Sequence, residues 1–231
     1  MSVADKNARI AVKEGVSLKP DQEYLEEIVP PLTPFTAQEE AARCLLCLDA
    51  PCSTACPANT RPADFIRAIR FRNFKGAAEI IRSSNILGGV CARVCPFEKT
   101  CEGACLKTGI DRPIQIGRLQ RFATDYEQAT RFEVLEPVAC TREKVAMIGG
   151  GPASLAAAAA LALQGFRVTI FEQRPKPGGV LTYGIVPARL PGYVADEEIE
   201  HVRRLGVEIV CNTRVGRDIT IDQLREQGYR A

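Results

Sequence analysis

Two rhythms of apolar residues divide the chain. In the first part Phe65, Ile66 and Ile69, then Ala77, Ala78 and Ile81, then Ile114, Leu119, Phe122 and Tyr126 recur at helical spacing, which places each group on one helix face. Thr36-Ala37-Gln38-Glu39 has the form of a capping box and predicts a short helix that begins there and delivers Cys44 and Cys47 from its end. Pro62 suits a first turn, and the period falters near Gly76, so two short helices are expected rather than one long one. A further helix is expected between Cys105 and about Arg131. From Lys144 the rhythm changes. Lys144–Ile148 and Arg167–Phe171 read as short buried strands with a helix, Leu155–Gln164, between them. Asp196–Leu205, Val207–Cys211 and Ile221–Gln227 continue as helix, strand and helix, while Leu181–Pro191 is too irregular for a helix. The fold class is therefore α followed by α/β. An N-terminal all-α domain spans 1–139 and a Rossmann-type unit spans 140–231, joined by a linker around Glu136-Pro137. Residues 1 to about 34, polar and then proline-rich, read as an arm lying over a neighbouring surface.

Composition narrows the function without choosing it. With 30 cationic and 28 anionic side chains the formal charge is +2, and no basic stripe with interleaved aromatics points to nucleic acid. Asp5, Lys6, Arg9, Lys13, Glu14 and Lys19 break up any apolar core of a signal peptide. The longest apolar run, Leu155–Leu163, is about half the length that crosses a bilayer, so no membrane association is expected. Ten cysteines without an export signal place the chain in a reducing, cytoplasmic compartment, where thiols stay available for metal.

The thiols carry the chemistry. They read Cys44-x2-Cys47-x4-Cys52-x3-Cys56-Pro57, then Cys95-Pro96-x4-Cys101-x3-Cys105, with Cys91 one helical turn before Cys95. In two-cluster ferredoxins three closely spaced thiolates hold one cluster, and a fourth, just before a proline, reaches across to the other. Applied twice, that logic gives one cluster Cys44, Cys47, Cys52 and Cys105, and the other Cys56, Cys95 and Cys101. The second set lacks a fourth ligand, for which Cys91 is a geometric candidate on its helix face. Structural zinc and a disulfide framework are the competing readings. The cysteines do not sort into two CxxC pairs per ion, and the single histidine, His201, is far away in sequence and reads as a surface residue of its helix. Cys140 and Cys211 read as unliganded thiols. Arg61, Arg67, Arg70, Arg72, Lys75 and Arg82 either form a solvated face or offset the negative charge of thiolate-bound clusters.

Immediately after the first strand comes Gly149-Gly150-Gly151-Pro152-Ala153-Ser154, then a helix, a strand and an acid, Glu172. This is the full context of a dinucleotide site. Gly149 allows the tight turn, Gly151 the close approach of a pyrophosphate, the helix N-terminus complements its charge, and Glu172 meets a ribose hydroxyl. Ser154 stands where a third small residue is usual. Pro177-Gly178-Gly179-Val180 supplies glycines that either let backbone approach a cofactor or simply turn the chain.

On these residues the chain resembles the flavin and iron–sulfur portion of NAD-dependent dihydropyrimidine dehydrogenases. The resemblance rests on Arg43-Cys44-Leu45-Leu46-Cys47, Ala50-Pro51-Cys52, Phe71 through Ala78, Val90 through Pro96, and Ile116 through Phe122. It continues through Gly151 to Ser154 and Arg189-Leu190-Pro191. It implies an α-helical ferredoxin-like domain with two [4Fe-4S] clusters, the second taking Gln120 as fourth ligand while Cys91 binds no iron. It also implies FAD at Gly149, Gly150, Gly151, Pro152 and Ala153 with Glu172, assisted by Gly178, Gly179, Val180, Arg189 and the vicinity of Val215. One departure is Ile185-Val186-Pro187, which sets the proline one place later than the family does.

The function implied by this resemblance is that of an electron-transfer module. Electrons are expected to pass from NAD(P)H through FAD and both clusters to an FMN-containing partner, in a hetero-oligomer, which reduces the 5,6 double bond of uracil or thymine. No catalytic residue for the pyrimidine is expected in this chain. Related proteins continue past the equivalent of Tyr229-Arg230-Ala231 into another strand and a second glycine motif. The Rossmann-type FAD unit therefore reads as incomplete, with NAD(P)H binding only in a complete chain and weak flavin binding by these residues alone. The small subunit of glutamate synthase and a zinc-stapled interaction module are the alternatives.

Overall fold

The computed structural model describes residues 27–231, which form two compact units, 27–134 with Pro187–Arg189, and Leu135–Val186 with Leu190–Ala231. The arm before residue 27 lies outside the described residues.

The first unit is all helical: α1 Pro34–Ala42, α2 Pro51–Thr54, α3 Pro62–Arg70, α4 Phe74–Arg82, α5 Gly88–Val94 and α6 Ile116–Thr130, with 3-10 turns at Phe97–Lys99 and Leu106–Gly109. Helix α1 starts three residues before the expected point. Thr33, not Thr36, is its cap: the Thr33 hydroxyl accepts from Thr36 N at 3.2 Å, and the Thr36 hydroxyl accepts from Thr33 N at 2.9 Å. Pro34, which has no N–H to lose, fits the first turn. The break between α3 and α4 falls at 71–73 rather than at Gly76. Asn73 caps α4 by accepting from Gly76 N at 2.9 Å, and a Cβ on Gly76 would overlap that same side chain, so the glycine makes room for the cap instead of ending a helix.

The core of this unit joins Phe65, Ile66 and Ile69 of α3, Ala77 and Ile81 of α4, and Ile116, Leu119, Phe122 and Ala123 of α6. Each fully buried Ile or Phe contributes roughly 1.5–3 kcal/mol. Phe74 meets Phe122 edge-on with centroids 5.0 Å apart. Cys101 lies within this core, and Cys44, Cys52 and Cys105 pack against its edge.

The second unit is a parallel three-stranded sheet of β1 Lys144–Ile148, β2 Arg167–Phe171 and β3 Glu208–Val210, in the order β1-β2-β3, with Val145 opposite Val168 and Ile170 opposite Ile209. Helices α7 Pro152–Ala162, α8 Val180–Tyr183, α9 Gly192–Arg204 and α10 Ile221–Glu226 complete it. Helix α7 is apolar all round, yet the residues it buries, Leu155, Ala158, Ala159 and Ala162, recur at helical spacing against the sheet. The stretch after Val180 contains one helical turn where irregular chain is expected, because Gly178 and Gly179 both take positive φ and Thr182 closes onto Pro177 O at 2.7 Å. His201, expected at the surface, is instead buried, since α9 turns that face inward with Val194, Glu198 and Val202.

Tyr229–Ala231 runs parallel to β1 on the side away from β2, with Arg230 N donating to Lys144 O and Ala146 N to Ala231 O. The sheet order therefore reverses at β1. Among the described residues no helix is long and apolar enough to cross a membrane.

Candidate metal centres and nucleotide site

The two cysteine runs meet in three dimensions as two groups of thiols. Cys44, Cys47 and Cys52, from the turns around α1 and α2, line one cavity together with Cys105 from the second run, between Ala63 and Ile66 on one side and Ile114 and Ile116 on the other. Leu46, between the first two thiols, holds a φ of 54°, a conformation that a bulky residue adopts only at a cost of about 1–2 kcal/mol. The turn aims the Leu46 N–H at the Cys44 sulfur, and the Ser53 N–H points at Cys52 in the same way. Burial pushes both thiols up, and repulsion from Cys105 adds to it. Arg70 supports this group, its Nη1 donating to Cys44 O at 3.3 Å.

The remaining cations divide differently from either expectation. Arg61, Arg67, Arg72 and Lys75 are exposed, with Arg61 and Lys75 paired to Asp64 and Glu79 on their own helices. Arg82 is buried against Glu127. Arg70 is the member of this stretch whose hydrogen bond reaches a thiol-bearing turn, so charge compensation from here centres on one side chain.

The second group gathers Cys56, Cys95, Cys101 and Cys91. Burial raises the Cys101 thiol to about 12, with Glu102, Cys56 and Cys95 repelling its charged form. Burial likewise raises Cys91 to about 11, next to Cys95 and Cys56, while the Gln120 and Asn85 side chains hydrogen-bond to it. Gln120 is buried at 3 % exposure, not a surface amide, and its Nε2 donates to Gly88 O at 2.8 Å. Thr60, which no sequence pattern singles out, is buried and stands 3.1 Å from the Cys56 sulfur.

Four thiols, the number of thiolates that hold a [4Fe-4S] cluster, line the first cavity.

In the second unit the carboxyl ends of the strands carry the glycine turn, Glu172 and the segment through Val215. Gly149 takes a φ of 89°, which suits glycine alone at the tight turn. Glu172 is buried, accepting from Gly150 N at 2.6 Å and from Arg174 N at 2.8 Å, so the acid braces the turn. Gly178 N donates to Gly150 O at 2.7 Å, and a Cβ on Gly179 would sit 3.0 Å from Gly151 Cα, so the two glycine loops pack backbone to backbone. Gly151 caps α7 without a side-chain partner, Pro152 occupies its first turn, and Ala153 is exposed beside it. Val180 is exposed at the start of α8. Val215 lies beyond β3 in a turn closed by Gly216 N to Ile219 O. Arg189 groups with the helical unit, where its Nη2 donates to Val94 O at 3.4 Å. The reversal of sheet order at β1 falls where Gly149–Gly151 sits, the position at which open α/β sheets bind ligands.

A helical domain with two groups of converging thiols, joined to a parallel strand, glycine turn, helix and strand, defines the class: a metal-cluster protein with a dinucleotide-binding unit. Residues 21–132 match the family described as dihydropyrimidine dehydrogenase domain II, 4Fe-4S cluster. Residues 147–205 match the NAD(P)-binding Rossmann-like domain family. The chain is 55% identical over 212 residues to the NAD-dependent dihydropyrimidine dehydrogenase subunit PreT of Salmonella typhimurium, a match covering 92% of this chain and 51% of the relative. It is 55% identical over 208 residues to the protein of the same name from Escherichia coli strain K12, covering 90% and 50%. The chain spans about half the length of these curated relatives.

Proposed function

We propose that this chain is the electron-input module of an NAD-dependent dihydropyrimidine dehydrogenase, working in a hetero-oligomer with an FMN-containing subunit that reduces uracil or thymine. Cys44, Cys47, Cys52 and Cys105 hold one [4Fe-4S] cluster; Cys56, Cys95, Cys101 and Gln120 hold the other. The observation that carries this reading is the meeting of thiols from both runs at one cavity. The iron–sulfur groups, when bound, supply one-electron carriers, and FAD links them to a two-electron hydride donor.

The chain's own residues tune and seat these groups. Amide N–H groups of Leu46 and Ser53 directed at sulfur, with Arg70 nearby, offset thiolate charge and so favour the more negative reduced state. The N-terminus of α7, free of a side-chain cap, presents backbone N–H groups to a pyrophosphate, and Glu172 keeps the glycine turn in the shape that exposes them. The buried amide of Gln120 supplies a neutral donor to the second cluster, which leaves that cluster one negative charge short of an all-thiolate one.

Anaerobic purification followed by iron, acid-labile sulfide, zinc and flavin quantitation tests the reading. Iron and sulfide in equal amounts, at two clusters per chain, support it; zinc alone in their place overturns it. With the FMN-containing subunit added, NADH-dependent reduction of uracil is the expected activity, and glutamine-dependent glutamate formation is the result that reassigns the partner.

A further inference from the structure

We propose that the buried Arg82–Glu127 ion pair positions Gln120 for the second thiol group, acting through the carbonyl of Gly88. This rests on the reading of Gln120 as a ligand. The bond from Gln120 Nε2 to Gly88 O, 2.8 Å, commits the amide nitrogen and leaves Oε1 as the donor available to a metal. The amide, which also hydrogen-bonds to Cys91 one turn further along α5, is therefore placed by how the start of α5 sits relative to α6.

Arg82 fixes that relation from both sides. It ends α4, and its Nη1 donates to Ile86 O, two residues before Gly88, while its Nε donates to Glu127 Oε2 at 2.8 Å. Glu127 stands on α6 seven residues after Gln120, about two turns along and on the same face. One guanidinium thus grips both the loop that presents the Gly88 carbonyl and the helix that presents the Gln120 amide. The two side chains are 2 % and 1 % exposed, so water does not compete for either. Gly88 completes the arrangement, since a Cβ there would meet Ile81 Cγ2 at 2.6 Å and Thr124 Cγ2 at 3.3 Å and drive α5 off α4 and α6.

A buried ion pair is weak evidence for stability, because apolar replacements of similar volume are often neutral or stabilising. Such replacements lose a fixed geometry. That difference separates a positioning role from a structural one.

The test uses the full chain purified anaerobically, with R82M/E127L as the main variant and Q120A as the reference for a lost fourth ligand. The double variant is expected to keep its helical circular dichroism and melting temperature, to keep the electron paramagnetic resonance signal that Cys105→Ala removes, and to alter the other signal as Q120A does, with iron content falling toward half. Arg82→Lys, which retains a cation beside Glu127, is expected to recover part of that second signal. A folded double variant whose second signal and iron content match the parent overturns the proposal, and so does a double variant that fails to fold, since the pair then holds the fold rather than the ligand. A parent chain without iron and sulfide strikes instead at the cluster reading itself.

Discussion

Gly151→Ala separates what the glycine turn needs for folding from what it needs for a ligand. Gly151 has φ −77° and ψ 177°, extended backbone open to any residue, and an added Cβ finds no atom within 4 Å. Folding therefore does not require glycine here, and alanine stabilises the chain by about 0.4–1 kcal/mol through a less flexible unfolded state. A pyrophosphate seated on the N-terminus of α7 meets the new methyl group about 1.5 Å out from Cα. Losing even one or two charge-assisted hydrogen bonds there costs roughly 3 kcal/mol, which is about 100-fold in affinity. Gly179→Ala behaves in the opposite way. Its φ of 55° and its 3.0 Å approach to Gly151 Cα make alanine destabilising by about 1–3 kcal/mol before any ligand arrives. The assay is a thermal melt of each variant beside calorimetric titration with FAD and, separately, NADH. The expected pattern is a Gly151→Ala melting temperature at or above the parent's with FAD binding lost. Gly151→Ala with FAD affinity within about threefold of the parent refutes the placement of the pyrophosphate, and tight NADH binding by the parent refutes the assignment of this turn to flavin.

Cys105→Ala is expected to halve iron and sulfide content while leaving the helical spectrum intact, because Cys105 flanks the core rather than filling it; retention of both clusters sinks the sharing of thiols between the runs. Cys140→Ala, at an exposed position, serves as the neutral control. In the metal-free chain a raised thiol pKa means less thiolate at any given pH, so Cys101, at about 12, and Cys91, at about 11, are protonated at pH 8 and react slowly. Iodoacetamide mapping should then label Cys140 first and Cys101 last, with Cys101 labelling rising about tenfold per pH unit from 8 to 10; equal labelling of the two at pH 8 contradicts this. Leu46→Gly relieves a φ of 54° and should stabilise the metal-free chain by about 1 kcal/mol at unchanged iron content, read as a rise in melting temperature; a fall shows that the leucine side chain contributes more than its backbone costs.

Periodicity made most elements legible: β1 and β2 were readable as short continuous apolar runs, and α6 by apolar residues recurring at helical spacing. Boundaries failed where a side chain acts on nearby backbone. The Thr33 cap is paired with Thr36, a reciprocal box without the usual Glu or Gln, and Asn73 rather than Gly76 divides α3 from α4. Linear spacing put Cys44, Cys47, Cys52 and Cys105 in one group, and these four line one cavity. It left the second group open, since Gln120 and Gly88 meet only after α5 and α6 pack together. The buried Arg82 was hidden among exposed neighbours of like charge, and no pattern in a linear sequence distinguishes the arginine that finds Glu127 from those that face water.

Because the thiols surround an apolar core, fold and cofactor depend on each other less tightly than in a zinc finger, where the metal supplies the folding energy and the chain is unfolded without it. Here Phe65, Ile66, Ile69, Ile81, Leu119 and Phe122 form a core that takes in Cys101, while Cys44, Cys52 and Cys105 pack against its edge. Burial raises the thiols of Cys44, Cys52 and Cys101, which favours their protonated form, so metal entry must displace protons. The cluster energy is then available for fixing geometry rather than for folding. That division suits an electron carrier, whose ligands must stay in place while the charge between them changes.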